Sequence, residues 1–589
     1  MNQWYLMTKK ADFQRIAKQY GIDQVTARII RNRDNVTDEQ IEQYLEGDIS
    51  QLPEPEQMKY VSEAAAIIEK KIKAGKKIRV IGDYDVDGIC ATYILYRGLT
   101  LCGAYVDTVL PDRVKDGYGL HNGMIEDAVR DEIDTIITCD NGIAAMEEIK
   151  NAKARKLTFI VTDHHEVPYE ENEDGTRTYI LPEADVVVDP KREECVDGFK
   201  EICGAYVALK VIFALFNRLG MGEEYRKELL VIAGIATVCD VMELRNENRI
   251  LVRYALKMMK ESGNRGLMAL LEVNGIDKGE ITAYQIGFVI GPCINACGRL
   301  ENATLALELL KATDEKSAVS GAARLKEMND TRKELTQDGI RQAVSKIENE
   351  GYLQDKILVI YLEQVQESIA GIIAGKIRET YERPVFILTR TENGVKGSAR
   401  SVAAYSLYDE MTRCKSFFTQ YGGHRMAAGL SMQEKDIDEF RRTINKNCRL
   451  NEAEFEEKVM IDAAMPISYV TESLISEFKC LEPFGNGNEK PVFAQKNIRF
   501  LSEKRMGKNR DMARFLVSDE SKKRYTAILF QNLDRFESLV KEKYGEEILQ
   551  QLSDGLGKEQ EIYLDILYYP AVNQYMGNTT LQFIIQDFK

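Results

Sequence analysis

Three aspartates, Asp83, Asp85 and Asp87, alternate through the stretch RVIGDYDVDGICAT at residues 79–92, between an apolar run ending at Gly82 and a helical pattern of small and apolar residues. Alternate residues of an extended segment project to one side, so these carboxylates can converge on a point. Gathered anions repel one another and resist ionisation. A divalent cation removes that cost, and hard oxygen ligands suit magnesium, manganese or calcium. A solvated acidic turn capping the helix fits the same spacing, so residues elsewhere must decide.

Those residues recur at the ends of apolar runs. DTIITC (134–139) ends at Asp140-Asn141-Gly142, TFIVT (158–162) ends at Asp163-His164-His165, and Val186–Val188 ends at Asp189-Pro190. The chain has only 4 histidines, and two of them, His164 and His165, are adjacent. Adjacent side chains point apart, so one of this pair can bind metal while the other contacts substrate or a second ion. Asp240 lies within the apolar sequence VIAGIATVCDVMEL (231–244), either salt-bridged, capping or on a metal. Asp83, Asp85, Asp87, Asp140, His164, His165 and Asp240 supply enough ligands for two divalent ions. Two ions about 3.5–4 Å apart clamp the attacking and leaving oxygens of a phosphoryl displacement. Carboxylates with imidazole favour manganese or magnesium over zinc, and the chemistry implied is metal-assisted phosphoester hydrolysis.

The elements that must position these groups alternate strand and helix, which predicts a mostly parallel sheet covered on both faces, with ligands outside the carboxyl ends of the strands. At 589 residues the chain exceeds one core. The expected order is an N-terminal helical segment (1–55), the α/β catalytic domain (56–270), a helical connector (271–350), a second α/β domain (351–452) and a C-terminal β-barrel of the OB type (453–589). The connector contains a long, charge-laced helix. In the barrel, Lys504, Arg505, Lys508, Arg510, Arg514, Lys522, Lys523 and Arg524 lie near Phe515 and Tyr525, the mixture a single-strand stacking platform needs.

Composition narrows the classes further. Hydrophobic residues at 44% and charged residues at 29% describe an ordinary globular protein. A net charge of −15 argues against general affinity for nucleic acid, so any such contact needs a local basic groove. The 11 cysteines include no C-x-x-C and read as reduced core thiols. No apolar run is long enough to span a membrane and no leader is evident, so a cytoplasmic protein is expected, and with no oligomerisation signal in the sequence a monomer is the default.

The motifs Asp83-Tyr84-Asp85-Val86-Asp87-Gly88, Asp140-Asn141-Gly142-Ile143, Asp163-His164-His165 and Asp240 resemble those of the DHH phosphoesterase superfamily. Pro111-Asp112-Arg113 with Asp116-Gly117-Tyr118-Gly119-Leu120, Gly291-Pro292 through Asn295 to Gly298-Arg299-Leu300, and Gly397-Ser398-Ala399-Arg400-Ser401 narrow the resemblance. With Gly422-Gly423-His424, Ala427-Ala428-Gly429 and Leu481-Glu482-Pro483-Phe484-Gly485, it points to the RecJ family of single-strand-specific 5′→3′ exonucleases. The resemblance implies a DHH domain, a DHH-associated second domain and an OB domain. It implies Asp85, Asp87, Asp140, His164 and Asp240 as manganese or magnesium ligands, with Asp83 and His165 completing the site. It places the 5′-phosphate on Arg113, Ser398 and Arg400, and the strand near Asn295, Arg299 and His424. Two positions depart from the family: Val365-Gln366 stand where a Trp-His pair is usual, and Cys293 stands where an Arg is usual.

The expected function is hydrolysis of single-stranded DNA in recombination and repair, with a single-strand-binding protein and a helicase as candidate partners. A DHH phosphodiesterase of short oligonucleotides or cyclic dinucleotides, and a non-catalytic single-strand-binding scaffold, are the alternatives.

Overall fold

The apolar runs that end in acidic or histidine tips form one five-stranded, all-parallel sheet. Its order is Tyr105–Val109, Lys77–Ile81, Thr135–Cys139, Thr158–Thr162 and Val186–Val188. This computed structural model describes residues 3–113, 117, 119–172, 174–196, 198–276, 279–392, 394–456, 458–507, 510–554, 561–575 and 578–589. Alternate strand residues serve opposite faces: Ile78, Val80, Ile137 and Ile160 enter one core with the flanking helices, while Ile81, Ile136, Phe159 and Val161 enter another. Both faces are therefore covered, as a parallel sheet requires. The strand order reverses between Lys77–Ile81 and Thr135–Cys139, and a crevice opens at such a switch point outside the carboxyl ends.

This sheet belongs to a unit formed by residues 48–455 with 485–487. Helix Gly204–Leu219 packs on it and helix Arg226–Cys239 packs on that helix, followed by a helical rod that begins at Ala283, passes through a π-helical turn at Ile286–Ile290 and ends at Leu300. The sequence reading treats residues 271–350 as a connector. In the structure Ile286, Ile290, Leu307, Leu325 and Met328 lie in the same core as the sheet. The long helix Glu315–Asn349 leaves that core midway, and its Ala343 and Ile347 join a different one with Leu358, Ile369, Ile373 and Ile387. It is therefore a shared wall rather than a solvated strut. The second sheet runs Phe418–Gly423, Ala427–Met432, Gly394–Arg400, Val385–Thr391 and Leu358–Tyr361, and only its last pair is parallel.

The other unit joins residues 1–47 to residues 456–484 and 488–589. Five strands close into a ring because Phe493–Met506 pairs with both Met512–Ser518 and Ile562–Tyr575, and the short strand Ala463–Ala464 adds to Phe493–Met506 outside the ring. Here the sequence reading of residues 1–55 as a segment of its own differs from what is observed. Gln3–Leu6 pairs in parallel with Lys458–Ile461, and Ile16, Ile29, Ile30 and Tyr44 share a core with Phe478, Phe493 and Tyr568. The buried Arg33 guanidinium donates to both oxygens of Asp462 at 2.7 and 3.1 Å, which locks the two ends of the sequence together. Such pairing between distant segments leaves no local periodicity to read.

The expected stacking platform also needs correction. On the strands of the barrel, Phe515 is 1% and Tyr525 8% exposed, both packed inward, while Arg514 and Arg524 alternate outward. The basic face exists, with Lys504 directly opposite Arg514, but these two rings cannot meet a base. Lys508 lies outside the described residues.

Candidate active site

The loop after Lys77–Ile81 turns directly into helix Val86–Leu101, and Asp85 is that helix's N-cap, its Oδ1 accepting from the Gly88 amide at 3.1 Å. Capping and ligation are thus compatible, since the second oxygen is left over. Asp87 accepts the amides of Gly204 and Ala205 at 2.6 and 2.9 Å, the first turn of the next helix, whose positive end favours an anion. Gly204 must be glycine, because a Cβ there would lie 2.7 Å from the Cβ of Asp140.

Asp140 sits at the tip of Thr135–Cys139 with φ of +59°, and Asn141 pins that tip by donating to the carbonyls of Ile81 and Cys139 at 3.3 and 3.0 Å. Asp240 caps the end of Arg226–Cys239, and the next residue, Val241, has φ of +55°. A β-branched residue in the left-handed region is strained by about 1–3 kcal/mol, and such strain concentrates where a side chain must be aimed.

These elements bring the seven residues together. His164 Nε2 lies 3.1 Å from Asp140 Oδ1, 3.6 Å from Asp87 Oδ2 and 3.7 Å from Asp240 Oδ2. Ligand atoms within 4.8 Å of one another form three sets: Asp140, His164 and His165; Asp87, His164 and Asp240; and Asp83, Asp85 and Asp140. The sets overlap through Asp140 and His164, so all seven residues crowd one region.

The electrostatics favour a cation. Burial and then the charge of Asp85 push Asp83 up to about 8. Burial and then Asp87 and Asp85 push Asp240 up to about 8, and the same influences hold Asp140 well above the usual carboxylate range. Burial lowers His164, leaving a neutral imidazole fit to ligate. Asp83 Oδ1, His164 Nδ1 and Asp240 Oδ2 are buried without a hydrogen-bond partner among the described residues. Orphaned oxygen and nitrogen donors around one point fit hard divalent ions.

Asp163 has a different part, which the sequence reading did not isolate. Its Oδ1 accepts from the amides of His164 and His165 and lies 2.7 Å from His165 Nδ1, while its Oδ2 accepts from the Ile143 amide at 2.9 Å. It orients His165, whose Nδ1 also lies 3.9 Å from Asp140 Oδ1. Burial alone would lower His165, but this hydrogen bond and the Asp163 charge outweigh it and raise the imidazole to about 9.

The basic residues gather separately, in the same unit. Arg113 lies over the Tyr84 ring, 4.3 Å from its centroid, and Arg299 Nη1 donates to the Ser368 carbonyl at 2.6 Å. Burial, and then the charges of Arg113, Arg332 and Arg400, pull Arg299 down to about 9. Burial and then Arg113 also lower Arg400. Among the described residues none of these four guanidiniums forms an ion pair, so together they make a positively charged site awaiting an anion.

Arg332 escaped the sequence reading because it lies in a charge-laced helix that carries no motif around it. It donates to Asn329 at 2.9 Å, and Asn329 donates to the thiol of the buried Cys293 at 3.4 Å. A guanidinium from the long helix thus reaches the neighbourhood of the position where the family usually carries Arg. Val365, the other departure, is buried in the core of the second α/β region. Ser398 shares a strand with Arg400, Asn295 is half-buried on the helical rod, and His424 is exposed at a hairpin tip, joined to neither cluster by a described contact. Asp116 and Tyr118 lie outside the described residues.

Comparison with known proteins agrees with this arrangement. Residues 77–237 match the DHH family, N-terminal domain; residues 354–450 match the DHHA1 domain; and residues 461–587 match the RecJ OB domain. The single-stranded-DNA-specific exonuclease RecJ of Bacillus subtilis is 31% identical over 86% of this chain and 63% of its own length. The protein of the same name from Dickeya dadantii is 30% identical over 76% of this chain and 79% of its own. The crystal structure of RecJ from Thermus thermophilus in complex with Mn2+ superposes with a TM-score of 0.81 at 25% identity, covering all of this chain and 79% of that one. The two charged clusters, the three matched domains and the extent of this similarity show that the chain belongs to the RecJ family.

Proposed function

We propose that this protein is a divalent-metal-dependent exonuclease that degrades single-stranded DNA from its 5′ end. The observation that carries the reading is the pairing of two clusters of opposite charge in one unit: seven metal-type ligands around a sheet switch point, and four guanidiniums nearby with no ion pair among the described residues. Asp85, Asp87, Asp140, His164 and Asp240 are the proposed ligands of manganese or magnesium, with Asp83 completing the set. When bound, the ions activate a water for attack and neutralise charge on the phosphodiester.

The chain's own groups do the rest. Arg113, Arg299 and Arg400, with Ser398 beside them, hold the terminal 5′-phosphate through charge-assisted contacts. That anchoring sets which linkage meets the carboxylates and hence the direction of digestion. His165, its Nδ1 committed to Asp163, presents Nε2 as a proton donor to a non-bridging phosphate oxygen. Single-strand-binding protein and a helicase are proposed partners because they supply the substrate, and a cytoplasmic monomer is the proposed state. Among the described residues no helix is long and apolar enough to cross a membrane.

The test is digestion with manganese of end-labelled 5′-phosphorylated single strands, blunt duplex and dinucleotides. A ladder shortening from the 5′ end on single strands alone is expected. Cleavage confined to dinucleotides overturns this in favour of an oligonucleotide phosphodiesterase, and binding without cleavage overturns it in favour of a scaffold.

A further inference from the structure

Tyr284 and Phe288 are 67% and 68% exposed, yet their rings stack on each other with centroids 4.8 Å apart and planes inclined by 24°. Single exposed aromatics are ordinary on a protein surface, but two large rings paired in solvent present a continuous π-face that none of the described residues buries. They stand at the start of the helical rod that runs to Leu300, and Phe288 lies within its π-helical turn Ile286–Ile290, a distortion common near functional sites.

The position of this rod gives the pair its meaning. Near its start the Ile286 carbonyl lies 3.9 Å from the Cys239 thiol, and Cys239 immediately precedes Asp240. Near its end Gly298 approaches the Tyr84 carbonyl so closely that a Cβ would come within 2.8 Å, and Arg299 then enters the guanidinium cluster. The rod therefore flanks the acidic loop, with phosphate-type groups at one end and bare aromatic faces at the other. From Phe288 to Arg299 it rises about 16 Å at 1.5 Å per residue.

We propose that Tyr284 and Phe288 are a nucleobase-stacking platform for the strand whose 5′ end is held beside Arg299. This rests on the proposed exonuclease reading. Stacking on an aromatic face suits every base, so the platform grips a strand without reading its sequence. At about 3.4 Å per stacked nucleotide, 16 Å spans about five nucleotides, and fewer if the strand is extended. The engaged bases lie a few nucleotides in from the end rather than at the reacting linkage. The platform also supplies, beside the active site, rings that Phe515 and Tyr525 of the barrel cannot offer.

The test uses the full chain with manganese and 5′-phosphorylated single strands carrying one abasic site at successive positions from the second to the eighth nucleotide. For the unsubstituted protein, KM is expected to rise about fivefold or more when the missing base falls at one or two adjacent positions, and to change little elsewhere. Tyr284→Ala and Phe288→Ala are expected to raise KM on intact strands by a similar factor and to erase the additional penalty of the abasic site. Phe288→Trp is expected to restore both. Alanine variants with unchanged KM, or with defects that multiply with the abasic penalty at every position, overturn the platform while leaving the exonuclease reading intact. If the unsubstituted protein cleaves no single strand, the functional reading falls and the platform falls with it.

Discussion

The carboxylate cluster and the guanidinium cluster are opposite in charge and differ in burial, Asp83, Asp87, Asp140 and His164 being buried and all four arginines half-buried, and they are assembled differently. The acidic residues come mainly from loops at one end of one parallel sheet and are fixed by the backbone: Asp87 by the amides of Gly204 and Ala205, Asp163 by those of Ile143, His164 and His165. The four arginines come from a loop, the helical rod, the long helix and the second sheet, and Arg299, Arg332 and Arg400 each donate to one acceptor among the described residues. A metal site that must hold its geometry is pre-set by rigid elements, whereas a phosphate site can be completed by elements that meet only when both sheets are in place. Each cluster carries charge that the protein does not cancel, so each should respond strongly to the right ligand.

The comparison breaks first if the acidic cluster tolerates change. Asp140→Asn is expected to reduce kcat on single strands about 10³-fold or more, the loss of several kcal/mol of transition-state stabilisation, with KM little altered. Arg400→Met is expected to do the opposite, raising KM for 5′-phosphorylated strands about 10- to 100-fold while leaving strands without that phosphate less affected. Equal effects on both substrates would unseat the phosphate assignment. Asp163→Asn is expected to lower kcat about 10- to 100-fold with manganese affinity, measured by calorimetry, little changed, because His165 loses the partner that orients it as proton donor.

Stability sharpens the contrast further. Asp83 and Asp240 are held near 8, far above their unfolded values, so the metal-free folded protein binds protons that the unfolded chain has released. Their contribution is complete below pH about 4 and is lost as pH rises towards 8; His165, held near 9, adds a loss of the same sign between about 6.5 and 9. The melting temperature of the metal-free protein should therefore fall by about 5 °C or more between pH 5 and 8. Manganese should raise it, and raise it more at pH 8 than at pH 5, since protons and metal compete for the same oxygens. A flat profile would mean that the carboxylates find other compensation.

Much of the acidic site was legible in the sequence because its residues sit at the ends of short apolar runs, where strand periodicity and the switch-point rule both apply. The role of Asp163 was hidden, since a motif cannot show which member turns inward to accept amides. Arg332 was invisible because one arginine in a charged helix has no distinguishing neighbour. The error over Phe515 and Tyr525 has a simple cause: composition showed aromatics near basic residues, but the alternation of the strands sent rings and charges to opposite sides. The association of residues 3–47 with the barrel was beyond reach for the reason that makes it notable, namely contacts such as Asn32 to Asp462 that span 430 residues.

That last feature bears on synthesis. At about 5–20 residues per second, the ribosome needs about 20–90 s to travel from Asn32 to the barrel segment that receives it. For that interval Ile16, Ile29 and Ile30 lack the barrel residues that cover them, and a segment made well before the barrel finds its place only after it.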